Sequence, residues 1–382
     1  AKADGCSILV TLDYGTTNHH ELEFAKSLGL TTIVIDHHHV DSVPPADVFI
    51  NPQQPGCGFA RGDLSAAGLC WFFIVALSKL LPAKESLDPK RYLDLACLGT
   101  ICDMVPLRGA NRIIARRGLE CLSSTERVGL RALKDVMGVG GGKRMSCSHV
   151  SFGIGPRLNA AGRMVSGDLV IELLTTESSG KAEKLAKKLH KLNQQRQATE
   201  EEVKLSAISQ VDRRGGLPDG IVAWDRTYHT GVIGIVAQRL VEEFYRPSAV
   251  MGYENGFFKG SVRGIQGMSV VEVLSATSQH LEKFGGHAGA GGFSIREEML
   301  EPFAEAFEQE CAKAIREVSK EPVVNADTIC DLNEITPAIV HEMKRFEPLG
   351  MGNPGPQIML QGLEVRDVKT LKNAHLKATL SN

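Results

Sequence analysis

Aromatic residues are scarce in this chain, and net charge is nearly absent. Phe, Trp and Tyr supply 5% of the 382 residues, and the formal charge at pH 7 is −2. A chain this close to neutral has no global field to draw in nucleic acid or an anionic membrane, so any such binding must rest on local charge. The nine cysteines include no C-x-x-C pair, and Cys97 and Cys102 are the nearest two. That excludes a disulfide framework or a zinc module and predicts a reduced, cytoplasmic chain. The most apolar stretch, residues 64–77 (LSAAGLCWFFIVAL), is shorter than the ~20 residues of a membrane helix and reads as a buried helix. No stretch has the pattern of a signal peptide. There is no initiator Met and a strand begins almost at once, so the expectation is a chain missing its N-terminal part.

Three familiar motifs are also lacking. Gly142-Lys143 is followed by Arg144 and Met stands at position 137, which excludes a Walker A loop. No G-x-G-x-x-G follows the first strand, so a Rossmann cofactor site is not expected, and no G-x-S-x-G elbow occurs.

What is present has the composition of a soluble globular protein, 43% hydrophobic and 23% charged, at a length that predicts two or three domains. Residues 7–12 form a continuous apolar run, as expected of a strand buried on both faces. Residues 21–28 have helical spacing and stop at Gly29, and residues 31–35 (TTIVI) are a second β-branched run. Strand, helix and strand in this order predict a βαβ unit and a parallel sheet. Helices are expected at 65–81, 89–101, 110–122 and 128–136. Residues 181–211 contain neither Gly nor Pro and read as one long, mostly exposed helix. A second α/β domain is expected from 215 to about 318, followed by a small, incomplete β domain.

Both early strands end in polar clusters, Asp13-Tyr14-Gly15 and Asp36-His37-His38-His39, where open α/β sheets place their ligands. With Asp103 these carboxylates and imidazoles suit Mn²⁺, Mg²⁺ or Zn²⁺, and two such ions can polarise a phosphoryl oxygen and activate water. The bland alternative is that Asp13 and Asp103 cap helices and the histidines form a solvated loop. Charge is also segregated. No acid lies between Asp135 and Asp168, between Glu254 and Glu272, or between Glu282 and Glu297. Those segments carry Arg144, Arg157, Arg163, Lys259, Arg263, Lys283 and His287 among many glycines, a pattern suited to following a phosphate backbone. The competing reading is tight turns with ordinary surface cations.

Five motifs in order then resemble the DHH phosphoesterases: Leu12-Asp13-Tyr14-Gly15, Ile35-Asp36-His37-His38, Cys102-Asp103-Met104-Val105-Pro106, Gly155-Pro156-Arg157-Leu158-Asn159-Ala160-Ala161-Gly162-Arg163, and Phe284-Gly285-Gly286-His287. The fourth, with Asn353-Pro354-Gly355-Pro356, is similar to the family's exonucleases specific for single-stranded DNA. The resemblance implies a parallel-sheet DHH domain over 1–180, a connecting helix over 181–214, a smaller α/β DHH-associated domain over 215–318, and a partial β-barrel of the OB type over 319–382. It implies two divalent ions, Mn²⁺ or Mg²⁺, held by Asp13, His37 and Asp103, with Asp36 and His38 in catalytic, orienting roles. It further implies that Arg157, Asn159, Arg163, Ser261, Arg263 and His287 bind the strand or its 5′ phosphate. The activity implied is 5′→3′ hydrolysis of single-stranded DNA to mononucleotides in repair and recombination, with a helicase and a single-strand-binding protein as candidate partners.

The family's first motif, with aspartate ligands on an earlier strand, has no counterpart in the chain. Asp4 is not expected to replace it, and weak metal binding and low activity of this piece alone are expected. His39 reads as solvated loop. The alternatives are a DHH phosphodiesterase acting on short oligonucleotides, cyclic dinucleotides or polyphosphate, and a non-catalytic scaffold that binds single-stranded DNA.

Overall fold

In the computed structural model the chain is described over residues 2–59, 63–82, 87–316, 318, 321–371 and 375–381. The expected start of the C-terminal piece, residue 319, lies outside them. The chain divides into two compact units. One holds Ala1–Pro156, Leu174–Glu183 and Asn325–Asn382, and the other holds Arg157–Leu173 and Lys184–Val324.

The first unit opens with β1 (Ile8–Leu12), α1 (His19–Ser27), β2 (Thr31–Ile35) and β3 (Val48–Ile50), paired in the order β1-β2-β3 and parallel throughout. The expected βαβ unit is present. Burial of β1 on both faces is not: Ile8, Val10 and Leu12 are all exposed. The reason is position, because β1 is the edge of the sheet while β2 is central and buries Val34 and Ile35.

Helices α2 (Ala66–Leu80), α3 (Leu93–Cys102), α4 (Gly109–Ser123) and α5 (Val128–Val136) follow. Ser65 caps α2, its hydroxyl accepting from the Gly68 N–H at 3.1 Å, which satisfies one of the first-turn donors. Ile35, Leu64, Leu69, Ala96 and Ile114 form a core joining sheet and helices. A π-helical turn, Val150–Ile154, then leads into α6 (Gly155–Met164), followed by α7 (Asp168–Thr175) and α8 (Ser179–Asp212).

The long helix expected over 181–211 is α8, but it is not mostly exposed. Leu189, Leu192, Glu200, Val203, Ala207 and Val211 are buried at three- and four-residue spacing, a stripe hidden among its many charges. Val203, Ala207 and Val211 join the core of the second unit with Ile221, Tyr228 and Val236.

That unit is built on β4 (Ile221–Asp225), α9 (Ile233–Phe244), β5 (Ser248–Glu254), β6 (Phe257–Arg263), α10 (Val270–Ala276), β7 (Lys283–His287), β8 (Ala290–Ile295) and α11 (Leu300–Ile315). Its sheet runs β4-β5-β6-β8-β7, parallel at β4/β5 and antiparallel elsewhere. Of the glycines read as phosphate-tracking, Gly260, Gly285, Gly286, Gly291 and Gly292 lie in these strands. A Cβ on Gly260 would stand 2.1 Å from the Phe293 ring, and one on Gly291 would stand 2.6 Å from Leu274. Gly260 and Gly291 are glycine because large side chains cross the strand there.

The C-terminal piece, within the first unit, has β9 (Thr328–Cys330), α12 (Pro337–Met343), β10 (Ile358–Leu360), β11 (Glu364–Leu371) and β12 (His375–Ser381). β9 pairs with β10 and β11 with β12, giving two separate two-stranded sheets rather than a closed barrel. A barrel needs every edge paired, and among the described residues these edges are open. No described helix is long and apolar enough to cross a membrane.

Candidate metal centre and nucleic-acid interface

Asp13, the first residue after β1, and Asp36, the first after β2, are brought side by side by the parallel pairing of Leu12 with Ile35. Asp13 has φ +62°, a left-handed conformation that costs a non-glycine residue energy and turns the carboxylate off the end of the strand. Gly15 has φ +125°, and a Cβ there would meet Thr11 Oγ1 at 2.8 Å and Val34 Cγ1 at 2.9 Å, so only glycine fits this turn. Asp103 arrives at the C-terminal end of α3, followed by Met104 at φ +58°.

These placements converge on His37. Its Nε2 lies 3.1 Å from Asp13 Oδ1 and 3.5 Å from Asp103 Oδ2. The hydrogen bond to Asp13 raises the His37 pKa, against burial, and the Asp103 charge adds to the effect. Burial in turn raises Asp103. Two carboxylates facing one imidazole make a pocket of negative potential that favours a cation.

His38 is set by Asp36, whose Oδ1 is 2.7 Å from Nδ1. Asp36 is 1% exposed. Burial opposes its charge, but the Thr16 hydroxyl and His38 outweigh it and hold its pKa at about 2. The ionised carboxylate accepts a hydrogen bond from the His38 Nδ1–H and leaves Nε2 as a lone-pair donor. Donor atoms of Asp13, His37 and His38 lie within 4.8 Å of one another. Mixed oxygen and nitrogen donors, one oriented by a buried carboxylate, fit a divalent ion.

Sequence reasoning missed Thr16 and Asn51. The Thr16 N–H and hydroxyl donate to Asp36 Oδ2 at 3.0 and 2.6 Å, and Asn51 Nδ2 donates to Thr16 Oγ1 and to the His38 carbonyl. For Asn51, its place directly after β3 was the available signal. Among the described residues His39 pairs with exposed Asp41 at 3.4 Å.

The remaining expected residues belong to the second unit. Arg263 is half-buried at the end of β6, and its Nη1 donates to Ser261 Oγ at 2.9 Å. Burial, then the Arg163 charge, lowers its pKa. Arg163 on α6 is likewise lowered by desolvation and by Arg196, and its Nη1 donates to the Gly231 carbonyl at 3.1 Å. Half-buried guanidiniums crowded by other cations gain from an anion placed beside them. Arg157 donates to His190 Nδ1 at 3.1 Å, and Asn159 is exposed one turn before Arg163. His287 is exposed on edge strand β7, in the cross-strand row that runs through Ala290 to Arg263. Arg296, by contrast, pairs with Glu282 at 2.8 Å, and Arg144 with Glu347 at 3.5 Å.

Three domain families match in order: the DHH family, N-terminal domain, over residues 4–100; the DHHA1 domain over 218–313; and the RecJ OB domain over 326–382. The single-stranded-DNA-specific exonuclease RecJ of Haemophilus influenzae is 34% identical over 98% of this chain, which covers 68% of that protein. The chain belongs to the RecJ family. The RecJ of Bacillus subtilis is 36% identical over the whole chain, yet the chain spans only 48% of its length. The crystal structure of RecJ in complex with Mn²⁺ from Thermus thermophilus superposes with a TM-score of 0.84 at 32% identity, covering 99% of this chain and 56% of that one. A RecJ structure bound to manganese matches with a TM-score of 0.69 at 33% identity over 82% of this chain and 78% of that one.

Proposed function

We propose that the protein is a metal-dependent 5′→3′ exonuclease that hydrolyses single-stranded DNA to mononucleotides in repair and recombination. It acts in the cytoplasm, with a helicase and a single-strand-binding protein as candidate partners. The observation that carries the reading is His37 Nε2 held between Asp13 and Asp103 beside an Asp36-oriented His38. Membership of the RecJ family supports it, as do the manganese-bound RecJ relatives.

Asp13, His37 and Asp103 hold two divalent ions, with His38 Nε2 as a further donor. The ions supply Lewis-acid polarisation of the scissile phosphate and activation of water. Asp36 keeps the proton on His38 Nδ1 and fixes the ring. Arg157, Asn159 and Arg163 border the strand, and Ser261, Arg263 and His287 hold the 5′ phosphate. None of these roles needs a particular base, so the contacts position the backbone rather than read sequence.

The test uses 5′-labelled single-stranded DNA with Mn²⁺, with chelator, and with His37→Ala. Mononucleotides should appear only with the metal and the histidine, and much faster from single strand than from duplex. Equal release from duplex, or faster hydrolysis of a dinucleotide than of a long oligomer, would overturn the reading. His287→Ala should weaken affinity for a 5′-phosphorylated oligomer while leaving Mn²⁺ binding unchanged.

A further inference from the structure

A cavity of about 430 Å³ lies in the first unit, away from the histidine cluster, among α4, the Arg144–Ser148 segment and residues 344–349 of the C-terminal piece. Its α4 side is Arg116, Leu119, Glu120 and Ser123, one helix face at i, i+3, i+4 and i+7. Leu119 and Met145 are buried and, with Pro348 and Leu349, make an apolar floor. The rim is charged but unevenly satisfied. Glu120 is taken by Arg117 at 3.0 Å and Glu347 by Arg144 at 3.5 Å. The side chains of Arg116 and Lys344 have no hydrogen-bond or ion-pair partner among the described residues, and nor does the Ser148 hydroxyl.

An apolar floor beneath two uncompensated cations selects a ligand with an apolar or flat body and one anionic group. The cavity has no histidine. Burial pushes the Cys147 thiol on its wall up to about 11, which keeps it protonated and unreactive. Recognition rather than chemistry is what such a wall can do.

We propose that this cavity is a binding site for a nucleoside monophosphate, its phosphate on Arg116 and Lys344 and its base on Leu119, Met145, Pro348 and Leu349. The ligand touches α4 on one side and residues 344–349 on the other, so binding ties the C-terminal piece to the DHH-type helices. None of the proposed catalytic residues lines the cavity, so the site is separate from the exonuclease reading and does not depend on it.

Deoxyadenosine 5′-monophosphate is the probe, titrated calorimetrically into the chain with divalent ions removed by chelator. It should bind, with inorganic phosphate and deoxyadenosine each at least about tenfold weaker. Arg116→Ala with Lys344→Ala should weaken binding at least about tenfold at an unchanged melting temperature, because both side chains are exposed. His37→Ala should bind like the parent, and hydrogen exchange should slow at residues 344–349 on binding. The proposal is overturned if no binding occurs at millimolar nucleotide, if the double variant binds normally, or if His37→Ala abolishes binding. Nucleotide binding without any exonuclease activity would leave this inference standing, so the two readings fail separately.

Discussion

Asp36 accepts from the Thr16 N–H and hydroxyl, from the His37 and His38 N–H groups and from His38 Nδ1, while almost none of its surface reaches solvent. A carboxylate so placed contributes to stability as well as to orientation. Its folded pKa of about 2 lies below the ordinary 3.8, so the contribution is complete above 3.8 and is lost as pH falls toward 2. In chelator, Asp36→Asn should therefore unfold about 2 kcal/mol more easily in urea near neutral pH. The gap between the two proteins should close as pH drops through that window. A gap that persists below pH ~2, or none near neutrality, would show that the buried charge does not act this way. Gly15 is the second decisive residue. Gly15→Ala forces a Cβ against Thr11 and Val34 at a positive φ, and should cost about 1–3 kcal/mol. A melting temperature equal to the parent's would contradict it.

Among elements, what was legible in the sequence and what was not differ for physical reasons. Residues 31–35 and 128–136 were read with their observed bounds because β-branched runs and amphipathic spacing are local signals. The exposure of β1 was not legible, because an edge strand and a central strand can share an apolar run, and pairing order is non-local. The packing role of Gly260 and Gly291 was not legible for a similar reason: the ring and methyl groups they make room for come from β8 and α10. At the candidate centre the aspartates and histidines were legible as strand-end residues. Thr16 and Asn51, which lock Asp36 and His38, were not, since their partners lie 20 and 13 residues away. Helix α8 shows the same limit. Its buried Glu200 is held by Arg196 at 2.7 Å and by Arg239 of α9 at 3.2 Å. Glu200→Ala strands the poorly exposed Arg196 guanidinium and should cost about 3 kcal/mol, measured by denaturant unfolding. A loss no larger than that of a surface pair would mean solvent already compensates Arg196.

For the molecule as a whole, the −2 formal charge is an average that hides its parts. Acids and bases largely neutralise one another along α8 and α9, where Glu200, Glu242 and Glu243 take Arg196, Arg239 and Lys204. Arg163 and Arg263 are different: burial chiefly, and then a neighbouring guanidinium, lowers each pKa, with Glu200 offsetting part of the effect at Arg163. Binding of an anionic strand should then depend on these few sites and not on net charge. With chelator present to prevent cleavage, the affinity for a 5′-phosphorylated single strand should fall as salt rises, with a log–log slope of about −0.7 per phosphate contacted. Arg163→Gln and Arg263→Gln should each weaken binding and flatten that slope by about 0.7, equally for different base sequences. Glu242→Gln, which removes negative charge from the paired surface, should leave the slope unchanged. A slope that moves with net charge alone, shifting as much for Glu242→Gln as for Arg263→Gln, would show that the global field and not the arginine pair engages the strand.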